Sequence, residues 1–290
     1  MIHVRGTGEI DKFSKACQIV KDTLEMVEEW VQPGITTLEL DNKAEEFIRS
    51  KMQKNVTFEP FYFRDAPTIV KRRYVDMDLL KFFEVYFYND EPSLEDIDPD
   101  VCSWLEKNTA EFDIVFVPDF GNGFISANMI QRLCGHARFL AINTQINSGN
   151  RGYHSINRYP NADFVSLNGP ELRIATHNRH DSYENLAKKL LDKIGARHFA
   201  VTLGSEGALL LNKDPEVTFK TPILSTKVLD RIGAGDTFLS LAGLCLGGGL
   251  RSDVALFVGS AAAALDVQIV CNREPITPVN LFKYLGTLLK

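Results

Sequence analysis

A glycine-rich stretch at residues 231–238, Arg-Ile-Gly-Ala-Gly-Asp-Thr-Phe, carries residue types suited to phosphate chemistry. Gly233 and Gly235 flank Ala234 and let the backbone turn tightly, so that bare N–H groups meet a ligand. An apolar run begins at Phe238 and predicts a helix, whose unpaired N–H groups and positive dipole end would point at the same spot. The stretch therefore predicts a binding site for an anion such as phosphate.

Asp236 follows this turn directly. A carboxylate repels a bound anion, so we do not expect Asp236 to hold the phosphate. It is better placed to act as a general base that takes a proton from a hydroxyl attacking phosphorus, while the N–H groups of residues 233–236 stabilise the developing charge. The alternative is a glycine-rich helix start with an acidic cap, and the stretch alone does not separate the two.

Two further polar motifs follow predicted buried strands. Asn168 and Glu171 lie three residues apart at a predicted helix start and face the same way, which suits a hydrated Mg²⁺ ion with few protein ligands. The same pair also makes a good capping box without any metal. Gly204 and Gly207 would let a turn approach nucleotide phosphates, with the Thr202 hydroxyl as a donor, although a plain hairpin turn needs the same glycines.

Composition limits the class of protein. The 290 residues allow one large α/β domain or a domain with an appendage, and 44% hydrophobic with 24% charged residues permits a sizeable core. A net charge of −6 without a basic stripe argues against nucleic acid as a partner. No run indicates a signal peptide or a membrane span, and the histidines form no zinc motif. The five scattered cysteines are typical of reduced thiols, so we expect a cytoplasmic protein.

The apolar pattern divides the chain in two. Residues 1–56 contain two amphipathic helical patterns separated by Pro33-Gly34, which predicts a helical hairpin. Residues 57–290 form a second predicted domain, where apolar strands alternate with helices and predict an α/β fold with a mostly parallel central sheet. Ligands of such sheets bind at the carboxyl ends of the strands, where Asp119 lies, although Asp119 also suits a plain turn.

Four motifs, in this order, resemble those of the ribokinase-like (PfkB) carbohydrate kinases over roughly residues 60–290: Asp119-x-Gly-x-Gly, Asn168-x-x-Glu, Val201-Thr-x-Gly-x-x-Gly and Gly233-Ala-Gly-Asp. Among these kinases the chain most resembles the kinase domain of bifunctional heptose-phosphate kinase/ADP-heptose synthase proteins. The resemblance implies a three-layer ribokinase-like sandwich, ATP and Mg²⁺ as cofactors, and phosphoryl transfer from ATP to a hydroxyl of a sugar or sugar phosphate.

The resemblance also implies roles for particular residues. Asp236 is then the catalytic base beside the anion hole of Gly233, Ala234 and Gly235, and Asp119 contacts the substrate. A second group binds the nucleotide, with Glu171 also near the metal: Asn168, Glu171, Thr202, Gly204, Gly207 and Ser260. Ser260 belongs to a segment of small residues that in related kinases lies against adenine; close helix packing is the alternative.

A predicted pair of strands, 68–75 and 82–88, is similar to the family's T-x-V-K-x-R strands. In that case Lys71 and Arg73 would meet an anionic sugar phosphate. A solvated edge strand that carries cations to prevent aggregation is the alternative.

Departures from the family pattern motivate a second hypothesis. Asn122 and the stretch Asn143-Thr144-Gln145 stand where lysines are frequent, so two cations near the phosphates are missing. Residues 1–60 lack the usual sugar-binding motifs; residues 15–50 instead resemble the N-terminal helices of methionine aminopeptidases, whose metal ligands have no counterpart downstream. We expect that hairpin to serve packing or assembly as a homodimer. The alternative function is a non-catalytic nucleotide-binding module in assembly or regulation.

Overall fold

The computed structural model describes residues 57–63, 69–75, 81–89, 94–146, 152–269 and 275–290, with scattered residues between 22 and 50. The chain divides into two compact units, one of residues 61–268 and one of residues 1–60 with 269–290. The predicted hairpin of residues 1–56 lies largely outside the described residues, so it stays a prediction, as does a domain boundary at residue 57. No helix in the described ranges has the length and apolar character needed to cross a bilayer.

The unit of residues 61–268 carries the candidate site. Its strands are β1 Val70–Val75, β2 Lys81–Phe87, β3 Val115–Asp119, β4 Leu140–Thr144, β5 Phe164–Asn168, β6 His198–Thr202, β7 Ala208–Asn212 and β8 Val217–Thr221. Its helices are α1 Asp98–Asn108, α2 Ala127–His136, α3 Gly169–Thr176, α4 Tyr183–Ile194, α5 Ala234–Gly247 and α6 Ser252–Asp266. In the other unit, α7 spans Pro278–Leu288.

Six strands form the central sheet in the order β3-β4-β5-β6-β7-β8. Strands β3 to β6 run parallel to one another, β7 pairs antiparallel with β6, and β8 pairs antiparallel with β7. Strands β1 and β2 make a separate antiparallel pair. The mostly parallel sheet that the βαβ pattern predicts is therefore confirmed. The apolar run from Val254 to Val270 predicts a buried helix followed by a strand, but after α6 residues 267–269 form a turn and a bend.

Buried side chains on the two faces of the sheet explain why helices cover both. On β6, Phe199 and Val201 join the apolar cluster formed with α2, α3 and α4, whereas Ala200 joins the cluster formed with α5 and α6. Strands buried on both faces are typical of parallel sheets, because the crossover helices lie on either side. The result is the expected three-layer sandwich.

Glycines bring α5 and α6 close to their neighbours. A Cβ on Gly243 of α5 would lie 2.5 Å from the ring of Phe116 on β3, and one on Gly259 of α6 would lie 2.9 Å from the Cβ of Ala242. Such distances are too short for a side chain, so glycine is needed for this packing. The close fit sets the position of α5, whose first turn carries Gly233, Ala234, Gly235 and Asp236.

Candidate active site

A cavity of about 1220 Å³ opens at the carboxyl ends of β4, β5 and β6. Parallel sheets bind ligands at this edge, because the loops that leave the strands converge there. Its lining brings together ten of the residues singled out from the sequence: Asn168, Glu171, Thr202, Gly204, Gly207, Gly233, Ala234, Gly235, Asp236 and Ser260. Aromatic residues Phe83 and Tyr86 of β2 and Phe120 after β3 also line it, and the sequence reasoning missed them.

The first turn of α5 has the geometry of an anion site. Gly233 caps the helix with a φ of 90°, a left-handed conformation that favours glycine, and its carbonyl accepts from the N–H of Thr237 at 2.8 Å. Within the described part of the chain, no hydrogen bond uses the N–H groups of Gly233, Ala234 or Gly235. The same three residues line the cavity, so these donors are available to an anionic ligand there.

Asp236 is half-buried at this turn and is contacted by two amides from the end of β4. Its Oδ1 lies 3.4 Å from Nδ2 of Asn143 and 3.5 Å from Nε2 of Gln145. Sequence reasoning treated these amides only as departures from a cation-bearing pattern. The signal that identifies them is their position at the carboxyl end of β4, because the carboxyl ends of parallel strands share the ligand-binding edge.

Glu171 closes a capping box at the start of α3. The Asn168 side chain accepts from the N–H of Glu171 at 2.8 Å, and Glu171 Oε2 accepts from the N–H of Asn168 at 2.9 Å. The N–H of Ile146 donates to Oε1 at 3.4 Å. Burial raises the pKa of the Glu171 carboxyl to about 7, against the lowering effect of these hydrogen bonds, and the nearby charge of Asp236 raises it further.

The carboxylate oxygens of Glu171 and Asp236 are suitable ligands for a hydrated Mg²⁺ ion. Among the described residues, no group of three or more His, Cys, Asp or Glu side chains is placed to hold a metal. Mg²⁺ needs no such cage, because it keeps several waters and binds nucleotide phosphates. Glu171 is only 8% exposed and interacts unfavourably with the charge of Asp236, so a cation beside these two carboxylates would offset their repulsion.

The turn after β6 and the helix α6 each contain one glycine that the packing requires and one residue that lines the cavity without such a constraint. Gly207 has a φ of 88°, and a Cβ there would lie 2.0 Å from the carbonyl oxygen of Thr221, so backbone packing alone requires this glycine. A Cβ on Gly204 would meet nothing within 4 Å. On α6, Gly259 packs on α5, whereas Ser260 lines the cavity and has a buried Oγ without a partner among the described residues.

Of the three residues predicted to bind substrate, Asp119 is described by the structure and does not line this cavity. The carboxylate of Asp119 is buried, where it accepts from the Tyr159 hydroxyl at 2.9 Å and the Gly121 N–H at 2.9 Å, and it pairs with Arg158 at 3.5 Å. It therefore holds the loop after β3. Lys71 and Arg73 lie in β1 opposite Tyr86 and Glu84, but their side chains are outside the described part of the chain, so their role stays a prediction.

Sequence comparison matches part of this chain to a known family. Residues 150–276 match the sequence model of the pfkB family of carbohydrate kinases. The bifunctional protein HldE of Campylobacter fetus subsp. fetus is 26% identical over 181 residues, which cover 61% of this chain and 38% of that protein. The chain thus spans less than half the length of this curated relative.

Solved structures share the fold. Ribokinase from Thermotoga maritima superposes with a TM-score of 0.62 at 19% identity, covering 86% of this chain and 77% of its own. Arabidopsis thaliana ribokinase, solved with ribose and ATP, gives a TM-score of 0.58 at 20% identity, covering 76% and 70%. At these identities the likeness shows the fold alone. The chain thus has a ribokinase-like fold, and its residues 150–276 are similar to the pfkB family of carbohydrate kinases.

Proposed function

We propose that this protein transfers the terminal phosphoryl group of ATP to a hydroxyl of a sugar or sugar phosphate. The observation that carries the proposal is the position of Asp236, half-buried in the cavity wall beside backbone N–H groups that no described residue uses. A carboxylate next to bare amides is the arrangement that alcohol phosphorylation needs, with one group for the proton and others for the phosphoryl oxygens. The family match adds independent support.

In the proposed reaction, Asp236 takes the proton of the acceptor hydroxyl as its oxygen forms a bond to the terminal phosphorus and the bond to the leaving phosphate oxygen breaks. The N–H groups of Gly233, Ala234 and Gly235 donate to the oxygens of the transferred group, where negative charge develops. The amides of Asn143 and Gln145 orient the base by donating to Oδ1. ADP and the phosphorylated acceptor leave, and Asp236 returns its proton to water.

The remaining lining residues would hold the nucleotide. The Thr202 hydroxyl and the turn at Gly204 lie at the end of β6, where a triphosphate would pass, and Ser260 lies on the α6 side, where small side chains leave room for a flat base. A bound Mg²⁺ ion would supply positive charge to the phosphates, with Glu171 as a candidate ligand in the cavity lining. Asn168 keeps Glu171 in place through the capping box.

One observation favours a second candidate, a nucleotide-binding module without catalysis. Asn143 and Gln145 contact Asp236 where related kinases often carry a cation, which would leave phosphates less well neutralised during transfer. Binding of ATP would survive that loss, because binding also uses the backbone N–H groups and the cavity walls.

Calorimetry with ATP and Mg²⁺, followed by a coupled ADP-release assay across sugars and sugar phosphates, separates the two candidates. We expect binding and turnover, with Asp236→Asn keeping ATP binding and losing about 10²–10⁴-fold in kcat, the usual contribution of a general base. Asp192→Asn, an exposed position on α4, is the matched control and should behave as wild type. Binding without turnover on any acceptor contradicts the kinase and supports the module.

A further inference from the structure

The backbone just before the anion site is anchored on both sides of Arg231. The N–H groups of Leu229 and Asp230 both donate to the carbonyl of Val267, at 2.8 and 3.1 Å, which ties this segment to the end of α6. On the other side, Oδ1 of Asp230 accepts from the N–H of Ile232 at 3.0 Å. These bonds hold the Cα of Arg231 at a defined place on the cavity wall.

The side chain of Arg231 is not used by the fold. It is exposed and lines the cavity, yet it makes no hydrogen bond or ion pair with any described residue. Arg158, by contrast, pairs with the buried Asp119 and donates to the Ile125 carbonyl. A guanidinium that is anchored through its backbone and has no protein partner is available to an external anion.

The charges of the cavity require such a cation. Of the lining residues that the structure describes, Arg231 alone is positively charged, whereas Glu171 and Asp236 are acidic. Backbone N–H groups carry only partial charges, and a nucleoside triphosphate brings several full negative charges. Asn143 and Gln145 add no positive charge at the end of β4. With both acids ionised, the described lining side chains sum to a formal charge of −1 with Arg231 (+1 − 2) and −2 without it, so Arg231 is the described side chain that offsets negative charge in the cavity.

We infer that Arg231 binds the phosphate chain of the nucleotide through its guanidinium. The planar fork of arginine matches two phosphate oxygens at once, which a lysine does not reproduce. We assign the bound phosphates to the nucleotide and not to the acceptor, because the backbone next to Arg231 is hydrogen-bonded to the end of α6. Ser260, Ala263 and Ala264 of α6 form the cavity wall proposed to contact the adenine ring. The inference rests on the proposed nucleotide site and adds to it the residue that neutralises the phosphates.

The test measures binding rather than turnover, so it needs no knowledge of the acceptor. Wild type, Arg231→Gln, Arg231→Lys and Arg179→Gln are titrated with ATP plus Mg²⁺ and with adenosine. Arg179 is the matched control, an exposed arginine outside the cavity lining that has no partner among the described residues. We expect Arg231→Gln to weaken ATP binding about 10- to 100-fold, as is typical for loss of charge-assisted hydrogen bonds, with adenosine binding unchanged. Arg231→Lys should recover only part of the loss.

Salt dependence provides a second readout. The difference in ATP affinity between wild type and Arg231→Gln should shrink as ionic strength rises, because screening weakens the interaction of exposed charges. Thermal unfolding of the variant should match wild type, since no described contact of the fold uses the side chain.

Two results would overturn the inference. Equal ATP affinity in wild type and Arg231→Gln, with adenosine bound by both, removes Arg231 from the phosphate site and leaves the proposed function standing. A wild-type chain that binds neither ATP nor adenosine overturns the nucleotide site and the role of Arg231 together.

Discussion

Nδ2 of Asn143 lies 3.4 Å from Oδ1 of Asp236, which links the end of β4 to the first turn of α5 across 93 positions of the chain. The side chain of Asn143 is buried, and its own Oδ1 has no partner among the described residues. The buried amide of Asn143 thus contacts Asp236 through its nitrogen and leaves its oxygen without a partner, so we infer that it orients Asp236 and does not serve packing. Changes at Asn143 should therefore act through Asp236.

Asn143→Asp should impair turnover at neutral pH. A second carboxylate beside Asp236 disfavours ionisation of the pair, so fewer molecules carry an ionised base. We expect kcat/KM to fall about 10-fold or more at pH 7, with the acidic limb of the pH profile moved by about one unit to higher pH. Asn143→Ala removes the amide without adding charge and is the control. Equal pH profiles for the two variants would show that charge is not the cause.

Glu171→Gln should change how stability depends on pH. Burial raises the pKa of Glu171 to about 7 in the folded chain, above its ordinary value of 4.5. Between these pH values the folded chain binds more protons than the unfolded chain, so the free energy of unfolding decreases as pH rises. Glutamine keeps the capping box and has no proton to lose.

Urea unfolding at pH 5.5 and pH 8 measures this effect. We expect wild type to lose on the order of a few kcal/mol more than Glu171→Gln between the two conditions. Burial also raises the pKa of Asp266 to about 6, but this acts in both proteins and cancels in the comparison. Parallel pH dependence in the two proteins would argue that Glu171 is ionised throughout this range.

Gly207→Ala should destabilise the fold strongly. The added Cβ would meet the Thr221 carbonyl oxygen at 2.0 Å, and alanine rarely adopts a φ of 88°. We expect a loss of about 3 kcal/mol or more in the free energy of unfolding, from strain plus displacement of β8. Gly235→Ala is the control, because a Cβ there meets nothing within 4 Å and the residue is helical. A Gly207→Ala variant as stable as Gly235→Ala would contradict the packing argument.

A pair of adjacent substitutions on α6 should separate nucleotide binding from packing. Ser260→Leu places a large side chain into the cavity, so ATP affinity should fall about 10-fold or more while the chain stays folded. Gly259→Ala crowds Ala242 and Phe238, so it should cost about 1–3 kcal/mol of stability with little change in the ATP affinity of folded protein. Calorimetry measures the ATP affinity of both variants, and urea unfolding measures their stability. Unchanged ATP affinity in Ser260→Leu would show that the adenine ring does not bind against α6.

Local residue patterns predicted most elements well. The residue pattern predicts a helix over residues 183–194 and a strand over residues 198–202, and the structure has α4 at Tyr183–Ile194 and β6 at His198–Thr202. Ser182 caps the start of α4 and Gly195 ends it in a left-handed conformation, so the signals lie within the element itself. The prediction of a strand after α6 was wrong for residues 267–269, because an apolar run without alternation does not distinguish a strand from a turn.

The sequence by itself determined the α/β architecture and the motifs that follow each strand, because helix caps, glycine turns and apolar periodicity are properties of neighbouring residues. Parallel strands then gathered ten predicted residues around one cavity, since the carboxyl ends of those strands share one edge. Only the tertiary structure decided which groups meet across the chain. In the folded chain, Asp119 accepts a hydrogen bond from Tyr159, and Asn143 contacts Asp236. Burial raises the pKa of Glu171, and the side chain of Arg231 lies in the cavity wall. Such contacts join residues far apart in sequence, and their geometry depends on the packing of whole strands and helices.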